Sequence, residues 1–260
     1  MPESIEVELY RRLAERTVGR TIAAVEAPDA WYLKGGLTAD SLAAAVVGGR
    51  VGAARRIGKL LLLDLDDGPT VGLRFGMTGR LVVDGDAGIE RLQYSAGRLD
   101  PAWDRARFCF AAGGDLRMND PRRLGGVLLE PDEAKLGVDV FGARPSDLAR
   151  VLAGSTVALK ARLLDQHRVA GIGNLLADEA LWRAGLDPTR PSAGLTPAEV
   201  RRLHRHLRAT VQELTVRGGS HTGDMFAARR PGGTCPRDGR PMRRDTVGGR
   251  TTWWCPHHQH

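Results

Sequence analysis

Apolar residues recur every four positions at Ile5, Leu9 and Leu13, which predicts a helix over residues 3–16 with one apolar stripe. Glu3, Glu6 and Tyr10 fall on a different face of that helix. From about residue 20 to 130 the pattern changes to short apolar runs separated by glycine and aspartate. These predict eight strands, at 21–26, 49–56, 59–65, 70–74, 79–83, 106–111, 115–119 and 125–130. Asp66-Asp67-Gly68-Pro69 and Gly113-Gly114-Asp115 carry hairpin-turn chemistry. Residues 85–104 have weak periodicity and read as a surface loop. Beyond Pro131 and Pro145 the spacing becomes helical, over 155–165, 174–184 and 197–217. Thr196, Pro197 and Glu199 supply the cap, first residue and capping box of the last helix, and Gly218-Gly219 stops it. Residues 223–233, rich in Gly, Pro and Arg, read as a mobile segment. The pattern is that of an α+β protein. An N-terminal helix and eight strands, forming a β-sandwich or barrel, occupy 1–131, a helical domain 132–222, and a small β-hairpin 223–260.

Charge sharpens this picture. Residues 201–260 hold twelve arginines against four acidic residues, an excess of eight, whereas residues 1–200 hold 26 basic and 27 acidic residues. The planar guanidinium fork suits phosphate, so a basic C-terminal quarter points to nucleic acid. No apolar run approaches the ~18–20 residues of a membrane span. Met1-Pro2-Glu3 lacks the basic start of a secretory signal, and a cytoplasmic protein is the expectation. Three cysteines do not make a disulfide framework. Cys109, inside an apolar run, reads as a packed strand residue.

Three groups of residues carry candidate chemistry. The first is Pro2. Removal of Met1 would expose a secondary amine, and an α-amine titrates near ~8, far below lysine. The start of a helix disfavours its charged form further. Such an amine can attack an electrophilic sugar carbon and form an iminium. Glu3 could transfer a proton, and Glu6, one turn on, could orient both. The alternative is that Pro-Glu simply begins a helix well. The second is Gly171-Ile172-Gly173-Asn174, a tight turn feeding a helix whose free N–H groups can receive an anion. Ordinary helix capping explains it equally well. Residues 165–170 are then the connecting turn of a helix–turn–helix unit.

The third group is Cys235-Pro236-Arg237-Asp238 with Cys255-Pro256-His257-His258. Each stretch brackets two residues, and four donors suit a tetrahedral zinc. Cys235, Asp238, Cys255 and His258 are the preferred set. Alternatives are a three-ligand site with an outside donor, His257 in place of Asp238, or a metal-free hairpin packed through Trp253 and Trp254. Gly248-Gly249-Arg250 reads as a turn whose arginine could clamp a phosphate or enter a minor groove.

Together these motifs resemble the formamidopyrimidine-DNA glycosylase/endonuclease VIII family over nearly the whole chain. Pro2, Glu3 and Glu6 match its opening residues, while Ser4 and Ile5 depart from them. Arg56-Ile57-Gly58-Lys59, Phe75-Gly76-Met77-Thr78-Gly79 and Asn119-Asp120-Pro121-Arg122-Arg123-Leu124-Gly125 are similar to its strand-feeding, void-filling and intercalation segments. Leu163-Leu164-Asp165-Gln166 through Gly173-Asn174 and Asp178-Glu179-Ala180-Leu181 are similar to its helix–two-turn–helix motif. Gly249-Arg250-Thr251-Thr252-Trp253-Trp254-Cys255-Pro256 is similar to the end of its zinc finger.

The resemblance implies a monomeric DNA repair glycosylase with abasic-site lyase activity, acting on double-stranded DNA with a damaged base or abasic site. Pro2 would be the nucleophile, assisted by Glu3 and Glu6, with Lys59 as a cation near phosphate and sugar. Met77, Arg122 and Leu124 would fill the space left by a flipped nucleotide. Lys160, Gly173, Asn174 and Arg250 would contact DNA, and the finger would hold structural zinc. Leu124 stands where the family has an aromatic wedge, and Asp238 and His258 stand for two thiolates. Residues 218–232 match no substrate pattern. A lesion-binding protein, or a monofunctional glycosylase of the same fold, is the competing expectation.

Overall fold

The eight expected strands are present in the computed structural model of the chain, which describes residues 2–89, 92 and 97–260. They are β1 (Ile22–Glu26), β2 (Val51–Ile57), β3 (Leu60–Leu65), β4 (Thr70–Arg74), β5 (Arg80–Val83), β6 (Asp104–Phe110), β7 (Asp115–Asn119) and β8 (Gly126–Leu129). They form two four-stranded antiparallel sheets, ordered β1-β6-β7-β5 and β2-β3-β4-β8. Alternation decides which face is inward. In β6, Ala106, Phe108 and Phe110 are buried, while Arg105, Arg107 and Cys109 are half-exposed on the other face. Cys109 is therefore on a strand, as expected, but outside the core. Leu61, Leu63, Leu73, Leu81, Leu116 and Met118 from both sheets share one core with Phe108. Of the expected 85–104 loop, residues 90, 91 and 93–96 lie outside the described residues, as does Met1.

The first helix, α1 (Ser4–Ala14), does not bury a single stripe. Val7, Tyr10, Leu13 and Ala14 enter the sandwich core, Ile5 enters a different core, and Leu9 is only half-buried. A helix buried on more than one face cannot be read from one periodic row. Tyr10 stacks on Phe75, with ring centroids 4.5 Å apart, and its hydroxyl donates to the Gly79 carbonyl at 3.3 Å. A helix absent from the sequence expectations, α2 (Ala39–Val46), is started by a reciprocal cap between Thr38 and Ser41 and buries Leu42 and Val46.

The chain divides into two units, Met1–Pro2 with Glu6–Glu133, and Glu3–Ile5 with Ala134–His260. In the second unit lie β9 (Val138–Asp139), α3 (Pro145–Leu152), α4 (Leu159–Leu164), β10 (Val169–Ala170), α5 (Asn174–Ala184), α6 (Pro197–Val216), β11 (Arg243–Val247) and β12 (Arg250–Trp254). Strands β9 and β10 pair in parallel. The α6 capping box forms as expected, between Thr196 and Glu199. Helix α4 starts four residues later than expected. Residues 155–158 are extended because Ser192 N–H donates to the Val157 carbonyl and Ala193 N–H to the Ser155 carbonyl, each at 2.9 Å. Ile172, Leu176, Leu181, Leu203, Leu207 and Leu214 make the helical core, and Trp182, Met225, Trp253 and Cys255 join a smaller one. Among the described residues no helix is long and apolar enough to cross a membrane.

Candidate nucleic-acid interface and metal centre

The anion at the start of α5 is Glu3. Its carboxylate accepts the Leu175 N–H at 2.8 Å and the Leu176 N–H at 3.0 Å, and the side chain is 1% exposed. These are orphan donors of the first helical turn, and the helix dipole favours a negative charge there. Gly173 is required for the approach, since a Cβ on it would lie 2.1 Å from Glu3 Cδ. The tight turn expected to receive a ligand anion thus seats a carboxylate of the same chain. Gln166 locks the turn by donating to the Leu164 and Ile172 carbonyls and accepting from the Gly171 N–H. Asn174 opens α5, and its buried side-chain oxygen has no hydrogen-bond partner among the described residues.

Lys160 on α4 is fully buried rather than presented on a surface. Its Nζ lies 2.7 Å from Asp178 Oδ1 and donates to Thr252 Oγ1 at 2.8 Å and to the Thr251 carbonyl at 3.2 Å. Asp178 also pairs with Arg229 and accepts the Trp253 N–H. Burial, then the Arg229 charge, pushes the Lys160 ammonium down from its usual range, with Glu3 acting in the opposite sense. The Asp178 carboxylate also favours the charged form. This cluster ties α4, α5 and β12 together. The hairpin turn is Gly248-Gly249, at φ +58° and +70°, so Arg250 opens β12 opposite Val247 instead of forming the tip. Arg250 remains exposed.

In the first unit, Pro2 and Glu6 are buried, Glu6 one turn along α1. Lys59 is half-buried in the two-residue turn Gly58-Lys59 joining β2 to β3. Arg56 braces this turn, donating to the Gly58 carbonyl at 3.0 Å and to Glu8 at 3.4 Å. Burial opposes the charge on Glu8, but Arg11, Arg12 and Arg56 outweigh it and hold the carboxyl below its usual value.

Met77 lies between β4 and β5, and Arg122 and Leu124 lie between β7 and β8. Asp120 joins the two loops. It is fully buried, accepts Thr78 Oγ1–H at 2.6 Å, and accepts the N–H groups of Arg122 at 3.2 Å and Gly125 at 2.9 Å. A Cβ on Gly76 would strike the Leu124 backbone at 2.4 Å, so the loops are in direct contact. Arg123, at φ +57°, is held by both oxygens of Asp29, each at 2.6 Å. That pairing, with Arg105 nearby, keeps the Asp29 carboxyl below its usual range. Met77 is half-buried, Arg122 is exposed and Leu124 is 49% exposed. One scaffold therefore presents all three.

The four expected metal donors converge. The ligand atoms of Cys235, Asp238, Cys255 and His258 all lie within 4.8 Å of one another. Cys235 Sγ is 3.5 Å from His258 Nδ1, and Cys255 Sγ is 3.2 Å from Asp238 Oδ2. Tetrahedral bonds of ~2.0–2.3 Å need similar edges. The surroundings fit as well. His258 Nε2 lies 3.1 Å from the Trp182 carbonyl, which frees Nδ1 for a metal, and Trp182 Nε1 donates to Cys235 Sγ at 3.3 Å. His257 is exposed and outside the group.

Comparison with known proteins agrees with these motifs. The pattern described as "Formamidopyrimidine-DNA glycosylase N-terminal domain" matches residues 1–127, and "Formamidopyrimidine-DNA glycosylase H2TH domain" matches 138–225. A formamidopyrimidine-DNA glycosylase of Paracoccus denitrificans is 36% identical, covering 98% of this chain and 99% of the relative. One from Halalkalibacterium halodurans is 34% identical, with 98% of each covered. The chain belongs to the formamidopyrimidine-DNA glycosylase family. A solved structure of LlFpg with THF-DNA and an inhibitor superposes at TM-score 0.83 with 27% identity, covering all of both chains. A complex between Lactococcus lactis Fpg and abasic-site-containing DNA gives TM-score 0.82 with 25% identity, again over both whole chains.

Within this glycosylase framework, several residues that matter were not singled out from sequence. Asp120 and Asp178 stood inside the quoted motifs, yet their partners lie 42 and 75 residues away for Thr78 and Trp253. Glu179 accepts the N–H groups of Asp224 and Met225 and pairs with Arg183. Residues 223–233, expected to be mobile, are thereby anchored at one end, with Met225 fully buried.

Proposed function

We propose that this DNA glycosylase excises damaged bases from double-stranded DNA and cuts the strand through an imine on its N-terminal proline. With Met1 removed, the Pro2 nitrogen attacks C1′ of the damaged nucleotide, the N-glycosidic bond breaks, and the base leaves with a proton. The sugar ring opens to an iminium on Pro2. Loss of the C2′ proton then expels the 3′ phosphate, and a second elimination expels the 5′ phosphate. Glu3, next in the chain, moves protons to and from the ring oxygen. The reading is supported above all by Glu3, a buried carboxylate held in one position by two N–H groups beside Gly173.

Lys59 supplies a cation toward phosphate, and Met77, Arg122 and Leu124 occupy the opened stack. Asn174 and Arg250 contact phosphate. Lys160 and Gly173 act on DNA indirectly, by holding β12 and Glu3. The DNA partner is supported by the structural neighbours, which are complexes with lesion-bearing or abasic DNA. Zinc would be held by Cys235, Asp238, Cys255 and His258, where it stiffens the hairpin that carries Arg250.

The test is borohydride trapping on an abasic-site duplex. A covalent protein–DNA product is expected, mapped by mass spectrometry to Pro2 and lost in Pro2→Gly. Base release without trapping would identify a monofunctional glycosylase, and binding without either a lesion-binding protein.

A further inference from the structure

Trp31 is 68% exposed, whereas Trp182, Trp253 and Trp254 are buried. An indole is a large apolar surface, and leaving it in water is unfavourable unless a partner covers it. Its position is fixed on both sides to the loop that carries Leu124. Asp29 caps the short helix Ala30–Tyr32 by accepting the Trp31 N–H at 3.1 Å, and the same carboxylate grips Arg123. Tyr32 is fully buried, and its hydroxyl occupies the space a Cβ on Gly125 would need. Leu33 bridges to Val127. Lys34 Nζ sits 4.8 Å from the Trp31 ring centroid, an ammonium placed beside an aromatic face. Leu124 itself is aliphatic and has no π face to offer an unstacked base.

We propose that Trp31 is a DNA-stacking residue: its indole covers a nucleobase left exposed where the damaged nucleotide leaves the duplex, with Lys34 toward the neighbouring phosphate. The occupant is lesion-distorted duplex DNA, because the segment is continuous with the Arg122–Leu124 loop. The inference rests on the glycosylase reading above.

The test compares wild type with Trp31→Phe, Trp31→Leu and Trp31→Ala on a duplex holding one uncleavable tetrahydrofuran abasic analogue. Base–aromatic stacking predicts that the Leu and Ala variants bind about tenfold more weakly and that Phe stays within about threefold of wild type. Tryptophan fluorescence should be quenched on titration with this duplex, and less so in Trp31→Phe. Thermal melting checks folding, and the Phe–Leu pair decides if the Ala variant is unstable. Leu binding as tightly as Phe would overturn the stacking role. If wild type neither releases a damaged base nor traps on abasic DNA, the glycosylase reading fails. If it traps normally while all three variants bind alike, only the Trp31 assignment fails.

Discussion

Lys160 Nζ lies 2.7 Å from Asp178 Oδ1, and both side chains are shut away from solvent. Removing one partner of such a pair strands the other charge, which typically costs about 3–5 kcal/mol. Asp178→Ala should therefore lower Tm sharply and also loosen Arg229 and β12. A double change, Lys160→Met with Asp178→Leu, should recover the share of the loss owed to Lys160 but not that owed to Arg229, which loses Asp178 in both variants. Thermal unfolding of the three proteins decides it, and a double variant no more stable than Asp178→Ala would contradict the account.

Gly173→Ala should separate chemistry from folding. The backbone there is extended, at φ −113°, so alanine is not strained, but its methyl would displace the Glu3 carboxylate. Single-turnover base release should fall roughly 10²-fold, the scale of a lost proton-transfer group. Binding to an abasic-analogue duplex should change far less. Equal losses in both would mean that Gly173 serves DNA docking instead.

Asp120→Ala should loosen the Met77 and Arg122–Leu124 loops together. Thr78 Oγ1 and the Gly125 N–H would lose their acceptor, and each buried donor left unsatisfied costs about 1–3 kcal/mol. Hydrogen exchange should rise in both loops. A rise confined to residues 119–126 would show that the loops are held independently.

The finger should carry one zinc per chain, countable by elemental analysis. Chelation should lower Tm and weaken DNA binding, because the hairpin is held to α5 partly through Cys235 and His258. Asp238→Cys should hold the metal more tightly in a chelator competition, and Asp238→Ala less tightly. Indifference of both properties to chelation would mean the hairpin is held without metal, by packing of Trp253 and Trp254 and by the Lys160–Asp178 cluster.

Glu199 gives a pH signature. Arg190, with the Thr196 cap, draws its carboxyl down from 4.5 to about 2, although burial resists. A depressed carboxyl stabilises the fold above its unfolded value and loses that contribution as pH falls through the folded one. The Tm difference between wild type and Glu199→Gln should thus be constant above about pH 5 and shrink between 4.5 and 2. A difference that persists unchanged at pH 2 would exclude this origin.

Local signals were readable where chemistry and geometry lie within one turn. The Thr196–Glu199 cap, the eight strand runs and the Cys–Asp/Cys–His spacing all needed only nearby residues. Residues 39–46 escaped notice because their alanines give no clear apolar period, and residues 145–152 because Pro145 reads as a break although it is a first helical residue. The contacts of Glu3, Asp120 and Lys160 were hidden for a different reason. Each depends on backbone donors or charges brought from far along the chain, and composition does not encode who meets whom. Lys160 shows the cost most clearly, since a lysine near a DNA-binding motif suggests a phosphate contact but proves to be an internal clasp.

The bond from Leu175 N–H to Glu3 also imposes an order on biosynthesis. The first few residues leave the ribosome early but have no seat until more than 170 others have followed. During that interval the α5 donors are not yet there to hold Glu3, and the proposed chemistry would require a peptidase to remove the initiator then. Afterwards Pro2 is buried, so on the proposed chemistry its amine would have to be freed during translation and not from the finished molecule.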